Sequence, residues 1–359
     1  MNDYEIWFAC AKLSCNIKNK LINKFKNVQN IWYYSTHDEK CTYINEKIKN
    51  ALLYAWNKEN IKSIKDNIEK NNINVVTITD ELYPKALKEY DDSPYMLFYK
   101  GDIDRLNKNK SVSIVGSRDC SSYGVNITNI ICNDLSRNNI NIISGMARGI
   151  DSIAHKKCIE NNSYTCAILG SGIDVIYPRE NKNIYDEIIK NGCVISQFPP
   201  GTKPYAYNFP IRNKIISGLS EVVVVIEGSE KSGTLITASS ALEQGKDVIA
   251  VPGNVFSKQS KGTNKLIKDG AYIFTEMKDI YEILNMNYIK NSFNNNSKMT
   301  SIEDKVYNKI NTTPIHFDEV LRLTNIDIKQ LYEVLFELQL KDEIMCLSGN
   351  YYVRNNKTV

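Results

Sequence analysis

The stretch from Phe209 to Thr237 constrains the fold of this chain more than any other. Five apolar residues, Val222–Ile226, stand between a basic segment that starts one helix and a Ser-Gly-Thr turn that starts another. A short apolar run between turn residues is typical of a strand buried on both faces, as in a parallel sheet covered by helices. The Ser-Gly-Thr turn after that strand presents backbone N–H groups and a hydroxyl, which suit an anion such as phosphate.

Residues 111–287 continue the alternation of strand and helix. Amphipathic segments separate seven predicted strands, which are Val112–Val115, Ile140–Ile143, Thr165–Leu169, Cys193–Ser196, Val222–Ile226, Val248–Val251 and Tyr272–Phe274. Such alternation predicts a doubly wound α/β domain with a mostly parallel sheet.

The residues before this region divide into two parts. Residues 1–74 are predicted to form a helical domain, because apolar residues recur at helical spacing. Its mildly basic surface is either a solvated face or an auxiliary contact for nucleic acid or a partner. Residues 75–110 contain Pro84 and Pro94, which break helices, and predict a connector of strands and turns at the start of an α/β domain spanning 75–290.

The C-terminal residues predict a linker at 291–300, rich in Asn and Ser, followed by a winged-helix domain at 301–359. The expected recognition helix, Asp327–Leu340, carries Lys329 but also Glu333 and Glu337. An acidic helix is poorly suited to the phosphate-lined major groove. A structural or protein-contact role is therefore favoured over duplex reading, and both alternatives stay open.

Overall composition limits the classes of function. The 359 residues carry a net charge of only +4, so anion binding must come from local placement of cations. The nine Cys form no Cys-x-x-Cys pair, and neither a metal nor a cofactor is predicted. No long apolar span and no leader-like N-terminus is present, which predicts a soluble, cytoplasmic protein without membrane contact.

The turns after the predicted strands are candidate binding segments, because ligands of parallel α/β sheets bind beyond the carboxyl ends of the strands. These turns are rich in Gly, Ser or Pro, and several supply a cation. Glycine permits close backbone approach, and arginine grips phosphate with two hydrogen bonds. The predicted anion-binding residues are Gly116, Ser117, Arg118, Arg148, Lys203, Arg212, Lys214, Ser232, Gly233 and Thr234.

The spread of these turns indicates a ligand longer than one nucleotide. Strands lie about 4.8 Å apart, so cations over five or six strand ends extend across roughly 20–25 Å. That length fits several nucleotides of a single strand. Aromatic rings lie nearby in the sequence, and they either stack on bases or pack in the core: Phe198, Tyr205, Tyr207 and Phe209.

Candidates for catalysis are few. His155 follows Asp151 at helical i+4 spacing, which more often marks a local structural bond than a general base. The sequence contains no Gly-x-Ser-x-Gly elbow, no phosphate loop ending in Gly-Lys and no metal-spaced cluster. The chain is therefore predicted not to be an enzyme.

Six motifs in fixed order resemble the DNA-processing protein A (DprA, also called Smf) family of bacteria. They are VGSR at 115–118, SGMARGIDSIAH at 144–155, LGSGIDVIYP at 169–178, FPIRNKIISGLS at 209–220, SGTLITASSALEQGK at 232–246 and VPGN at 251–254. The resemblance covers nearly the whole chain. It implies an extended Rossmann-like domain, an N-terminal helical domain of the sterile-alpha-motif type and a C-terminal winged helix.

The resemblance also implies a function. Family members are homodimers that bind single-stranded DNA, protect incoming strands and load the RecA recombinase during natural transformation. It implies a DNA pocket at the residues matching Gly116, Ser117, Arg118, Phe209, Arg212, Asn213, Ser232, Gly233 and Thr234. Two positions depart from the family pattern, since Lys214 replaces a common Arg and Gln197 a common acid. Lysine keeps the positive charge but cannot make the bidentate hydrogen bonds of an arginine guanidinium.

The alternative hypothesis is a nucleotide-processing enzyme, because the predicted α/β domain is also similar to phosphoribohydrolases. Those enzymes carry a Pro-Gly-Gly-x-Gly-Thr-x-x-Glu signature. Here Thr237 occupies the position of the expected Glu. The missing acid favours binding over catalysis.

Overall fold

The computed structural model describes residues 1–37, 43–288, 300–340 and 343–355. The chain divides into two compact units, Met1–Met286 and Asn287–Val359. The predicted linker falls almost entirely outside the described residues. The predicted boundary between residues 74 and 75 lies inside the first unit and stays a prediction.

Five helices open the chain, as the apolar spacing predicts. Side chains of Ser14, Asn45 and Asn57 accept hydrogen bonds from first-turn amides, so helix starts are encoded locally. The Trp7 indole is fully buried and donates a 2.7 Å hydrogen bond from Nε1 to the Leu52 carbonyl. The helices are α1 (Asp3–Cys10), α2 (Cys15–Phe25), α3 (Val28–His37), α4 (Glu46–Ala55) and α5 (Lys58–Lys70).

A nine-stranded sheet forms the centre of the first unit. Its strands are β1 (Asn74–Thr77), β2 (Met96–Gly101), β3 (Ser111–Val115), β4 (Asn141–Ser144), β5 (Thr165–Ile168), β6 (Cys193–Ser196), β7 (Val222–Val225), β8 (Asp247–Ala250) and β9 (Tyr272–Ile273). The spatial order is β1-β2-β6-β5-β4-β3-β7-β8-β9. β1 pairs antiparallel with β2 and β2 with β6, whereas all other neighbours are parallel. This confirms the predicted doubly wound, mostly parallel sheet.

The seven predicted strands all occur within one residue of their predicted bounds. The remaining helices of this unit are α6 (Lys85–Lys88), α7 (Ser122–Arg137), α8 (Ile150–Glu160), α9 (Lys182–Asn191), α10 (Asn208–Gly218), α11 (Gly233–Glu243), α12 (Lys261–Lys268) and α13 (Met277–Ile283). Short 3₁₀ helices span Asp104–Asn107 and Arg179–Asn181. The four valines of β7 are fully buried, as expected for a strand covered on both faces.

The predicted connector is part of the sheet. Its strands β1 and β2 extend the sheet beyond β6, a pairing that the sequence does not predict. The N-terminal helices share one hydrophobic cluster with residues of this edge. Within that cluster, the rings of Phe8 and Tyr95 meet edge to face with their centroids 4.8 Å apart. Residues 1–74 therefore pack directly on the α/β part of the unit.

The described residues of the second unit form three helices and a small antiparallel sheet of order β10-β12-β11. Val320, Leu331, Leu335 and Leu338 lie in its buried core. The elements are α14 (Ser301–Tyr307), β10 (Ile315–His316), α15 (Phe317–Thr324), α16 (Ile328–Leu340), β11 (Ile344–Leu347) and β12 (Tyr351–Arg354). This is the order of helices and hairpin that predicts a winged helix.

Candidate functional site

A cavity of about 360 Å³ lies where the strand order reverses, between β3 and β7. Connections from two adjacent parallel strands leave in opposite directions at such a point, which opens a crevice at the carboxyl edge of the sheet. The cavity is lined by the turn after β3, the start of α8, the first half of α10 and the start of α11.

The turn after β3 is held against the start of α8. Gly149 has φ of 69°, and a Cβ atom there would lie 2.2 Å from the Ser117 carbonyl oxygen. Only glycine permits this close approach. The Ile150 amide donates to the same carbonyl at 3.2 Å. The fixed turn leaves the Arg118 side chain exposed at the edge of the cavity.

Arg212 comes from α10 and is only 4% exposed. Its Nη1 donates to the Ile168 carbonyl at 2.6 Å and also to the Gly145 carbonyl. Its Nε is buried and has no hydrogen-bond partner among the described residues. Burial lowers the pKa of Arg212 to about 10, with the Asp151 charge opposing that shift. The guanidinium therefore stays charged at neutral pH, because its pKa remains well above 7.

Asp151, in the first turn of α8, is buried beside this guanidinium. Its Oδ2 accepts hydrogen bonds from the amides of Gly145 at 3.1 Å and Ala147 at 3.3 Å. Burial raises the pKa of Asp151, and the Arg212 charge partly offsets that rise. A Cβ atom on Gly145 would lie 2.2 Å from Arg212 Nη1 and 2.7 Å from Asp151 Oδ2. Gly145 therefore leaves the space that both charged groups occupy.

The amino end of α11 supplies a second anion-stabilising feature. Ser232 is its N-cap, and its Oγ accepts from the Thr234 amide at 3.2 Å. Asn213 donates from Nδ2 to the Gly233 carbonyl at 3.4 Å, which ties α10 to this turn. The positive end of the helix dipole therefore lies at the cavity, where it stabilises negative charge.

Phe209 places an aromatic ring between the two arginines. The guanidinium carbon of Arg118 lies 6.0 Å from the ring centroid and that of Arg212 lies 5.7 Å from it. A Cβ atom on Gly170 would approach the ring to 2.8 Å, so the backbone of that turn packs directly against it. Cation and ring are thus combined in one wall of the cavity.

The structure brings nine of the twelve predicted site residues to this cavity, namely Gly116, Ser117, Arg118, Phe209, Arg212, Asn213, Ser232, Gly233 and Thr234. The other three do not line it. Arg148 forms an exposed ion pair with Glu180, in which Nη2 and Oε2 are 2.8 Å apart. Lys214 lies 2.7 Å from Asp92, in a separate depression. Lys203 is exposed in the segment after β6.

Asp151, Ala147 and Thr237 also line the cavity, although the sequence did not identify them as binding residues. Thr237 follows Gly233 by four residues, so helical spacing alone places both on one face of α11. The structure gives Asp151 and His155 separate partners. His155 is fully buried, and its Nδ1 lies 2.7 Å from Thr165 Oγ1.

A binding crevice at the switch point defines the class of doubly wound, Rossmann-like α/β proteins. The sequence signature of the family "DNA recombination-mediator protein A" matches residues 74–285, and that of the "DprA winged helix domain" matches residues 296–350. The chain belongs to the DNA recombination-mediator protein A family, which confirms the resemblance. None of the helices in the described ranges has the length and apolarity of a membrane span.

Individual relatives agree with this assignment. The DNA processing protein DprA of Bacillus subtilis is 43% identical over 212 residues, or 59% of this chain and 71% of that protein. The solved structure of DprA from Streptococcus pneumoniae has a TM-score of 0.68 at 32% identity, covering 80% of this chain and 99% of its own. A structure of DNA processing protein A from Helicobacter pylori, described for its single-stranded DNA binding mode, has a TM-score of 0.54 at 28% identity. It covers 59% of this chain and 95% of its own.

Proposed function

We propose that this protein binds single-stranded DNA at the switch-point cavity, with little dependence on sequence, and acts as a recombination mediator. One observation carries the proposal, which is the convergence of Arg118, Arg212, the Phe209 ring and the amino end of α11 on one cavity. Phosphate is bound by cations and by backbone N–H groups at a helix start, and a base stacks on an aromatic ring. This cavity offers a site for the phosphate and a ring for the base.

The two arginines have different parts in this proposal. Arg118 is exposed and can turn toward a phosphate, whereas Arg212 is fixed by two backbone carbonyls. Arg212 therefore contributes a positive potential and shapes the wall of the cavity, while Arg118 makes the adaptable contact. A cavity of about 360 Å³ is at the small end of ligand sites, so it holds about one or two nucleotides of a longer strand.

The family and the Helicobacter pylori relative support the choice of ligand. On the same ground we propose that the protein is a homodimer in the cytoplasm and that it loads the RecA recombinase onto incoming strands during natural transformation. These partners follow from the family alone. The cavity geometry supports only the DNA contact.

The rival hypothesis is an enzyme that cleaves a nucleotide. Thr237 is buried and lines the cavity at the position where the similar hydrolases carry Glu. A threonine hydroxyl does not replace a carboxylate as a general base at neutral pH. We therefore expect no release of free base when the protein is incubated with nucleoside monophosphates. Release at a catalytic rate would favour the enzyme instead.

Titration of labelled oligo-dT tests the proposed function. Between about 50 and about 200 mM salt we expect the affinity for oligo-dT to fall steeply. Contacts to phosphate release counterions from the DNA, and added salt opposes that release. Arg118→Ala should weaken binding of unrelated sequences alike and reduce the salt slope by about one. An unlabelled duplex should compete poorly. Equal affinity of the Arg118→Ala variant and the parent would show that the strand binds elsewhere.

A further inference from the structure

Three exposed tyrosine rings lie near Phe209, one of them in space and two in the chain segment that precedes it. Tyr177 and Tyr205 are each 46% exposed, and Tyr207 is 66% exposed. The Tyr177 ring centroid lies 5.9 Å from that of Phe209. Tyr205 and Tyr207 stack on one another with their centroids 5.4 Å apart and their planes within 8°. Tyr177 therefore lies beside Phe209, and the segment that leads into Phe209 carries two further rings that the core does not cover.

The segment that carries two of these rings is held in place. Asn208 is buried and donates from Nδ2 to the carbonyls of Gly170 at 3.0 Å and Lys203 at 3.3 Å. The Tyr205 amide donates to the Lys203 carbonyl at 2.8 Å. Because these bonds position the rings before a ligand arrives, less conformational entropy is lost on binding.

The chemistry of the rings matches a nucleobase. Tyr205 and Tyr207 are already in contact, so a base would stack on an outer face of the pair and not between the rings. A cation lies near the rings in both chain segments, since Arg179 follows Tyr177 by two residues and Lys203 precedes Tyr205 by two. Rings beside cations are the usual means of holding a single strand without reading its sequence.

We infer that Tyr177, Tyr205 and Tyr207 form a stacking track for the bases that leave the cavity. The inference rests on the proposed function, and it assigns to the protein a binding surface longer than the cavity. The track also gives a role to Lys203, which was predicted as a binding residue but does not line the cavity. Lys203 is exposed and precedes Tyr205 by two residues, so the inference assigns its charge to the phosphates of the same strand.

Anisotropy titrations with two oligo-dT lengths, about two nucleotides to fill the cavity alone and about sixteen to reach beyond it, test the track. The parent should bind the long strand more tightly. Tyr207→Ala should lower affinity for the long strand by about fivefold or more and leave affinity for the short strand unchanged. Tyr207→Trp should retain long-strand affinity because it keeps an aromatic face, whereas Tyr207→Leu should not. Tyr54→Ala, at an exposed ring on α4, is the matched control.

A second long strand, with abasic sites everywhere except at the one or two nucleotides that fill the cavity, separates stacking from charge. The parent should bind it more weakly than oligo-dT, and this difference in affinity should be smaller in Tyr207→Ala. Unchanged long-strand affinity in Tyr207→Ala, or an equal loss for the dT and abasic strands, would overturn the track while leaving the cavity assignment intact. Failure of the parent to bind either oligo-dT would overturn the proposed function as well.

Discussion

Arg118 and Arg212 look alike in the sequence, as two arginines in motifs near strand ends, but the structure gives them different surroundings. Arg118 is exposed, whereas Arg212 is buried and bonded to the carbonyls of Gly145 and Ile168. A buried charge with fixed partners is costly to remove, because its partners lose their hydrogen bonds. At the scale of single residues, the cavity therefore combines one exposed cation with one buried, structural cation.

Substitution of the two arginines should separate these roles. Arg212→Ala should lower the free energy of unfolding by about 3 kcal/mol, since it leaves buried carbonyls and the Asp151 carboxylate uncompensated. Arg118→Ala should weaken DNA binding without a measurable change in stability. Urea unfolding and oligonucleotide titration measure the two effects. Arg212→Lys should recover little, because lysine lacks the planar fork. A fully stable Arg212→Ala variant would contradict the structural role.

His155 should make the protein sensitive to acid. Burial, aided by the Arg212 charge, lowers the pKa of His155 to about 3 from 6.5. In the unfolded chain His155 therefore binds a proton below about pH 6.5, whereas in the folded chain it binds that proton only below about pH 3. The free energy of unfolding therefore decreases as pH falls from about 6.5 to about 3. At pH 4 the loss that His155 causes is about 3 kcal/mol relative to neutral pH.

The variant His155→Gln should flatten that pH dependence in urea unfolding, whereas His37→Gln, at an exposed ring, should leave it unchanged. Asp151 acts in the opposite direction. Its pKa is raised in the folded chain, so its contribution is lost as pH rises through that value. A comparison of the two histidine variants cancels the Asp151 effect. An unaltered pH profile in His155→Gln would show that other groups cause the acid sensitivity.

At the scale of secondary-structure elements, the cavity depends on how closely α8, α10 and α11 approach the strand ends. The segment between β4 and α8 passes beside Arg212 with no room for a side chain at Gly145. The start of α11 is different, because a Cβ atom on Gly233 would meet no atom within 4 Å among the described residues. Two glycines of the same site therefore have unequal tolerance to substitution.

Gly145→Ala should displace the Arg212 guanidinium from its carbonyl partners, because the new Cβ atom would lie 2.2 Å from Nη1. We expect a loss of stability of about 1–3 kcal/mol and weaker DNA binding. Gly233→Ala, at the first position of α11, should preserve stability or raise it slightly, since alanine favours helix. Thermal unfolding and oligonucleotide titration of both variants make the comparison. Equal effects of the two substitutions would contradict this account of the packing.

At the scale of the whole molecule, the cavity belongs entirely to the first unit, Met1–Met286. The second unit has a different surface. Helix α16 exposes Ile328, Tyr332 and Phe336 at intervals of four residues, beside Glu333 and Glu337. An apolar and acidic face is poorly matched to phosphates. Of the two alternatives for the winged helix, this face favours a structural or protein contact over duplex reading.

Deletion of residues 287–359 should therefore leave affinity for single-stranded DNA within about twofold of the full chain, a change below 0.5 kcal/mol. The salt slope should also be unchanged, because no cation of the cavity is removed. Oligo-dT titration of the two chains at matched salt tests this. A tenfold loss of affinity would show that the winged helix contributes to the DNA contact.

The local pattern of the sequence determined the secondary structure. The apolar runs predicted the seven parallel strands within one residue. Nine of the twelve predicted site residues line the cavity, and most of these were identified from the turns and the helix that follow the strands, whereas Asn213 came only from the family resemblance. These features depend on the periodicity and turn chemistry of neighbouring residues, which a sequence displays directly. The helix starts are encoded in the same way, as the N-cap Ser232 shows.

Tertiary structure alone decided which strands pair and where each cation points. β1 and β2 join the sheet beside β6, which follows them by about a hundred residues, because packing selects that edge. Lys214 faces Asp92, 122 residues away in the chain, and Arg148 faces Glu180. Local periodicity carries no information about such distant neighbours. The direction of a long charged side chain follows the partners that the folded backbone brings near it, and those neighbours exist only in the folded chain.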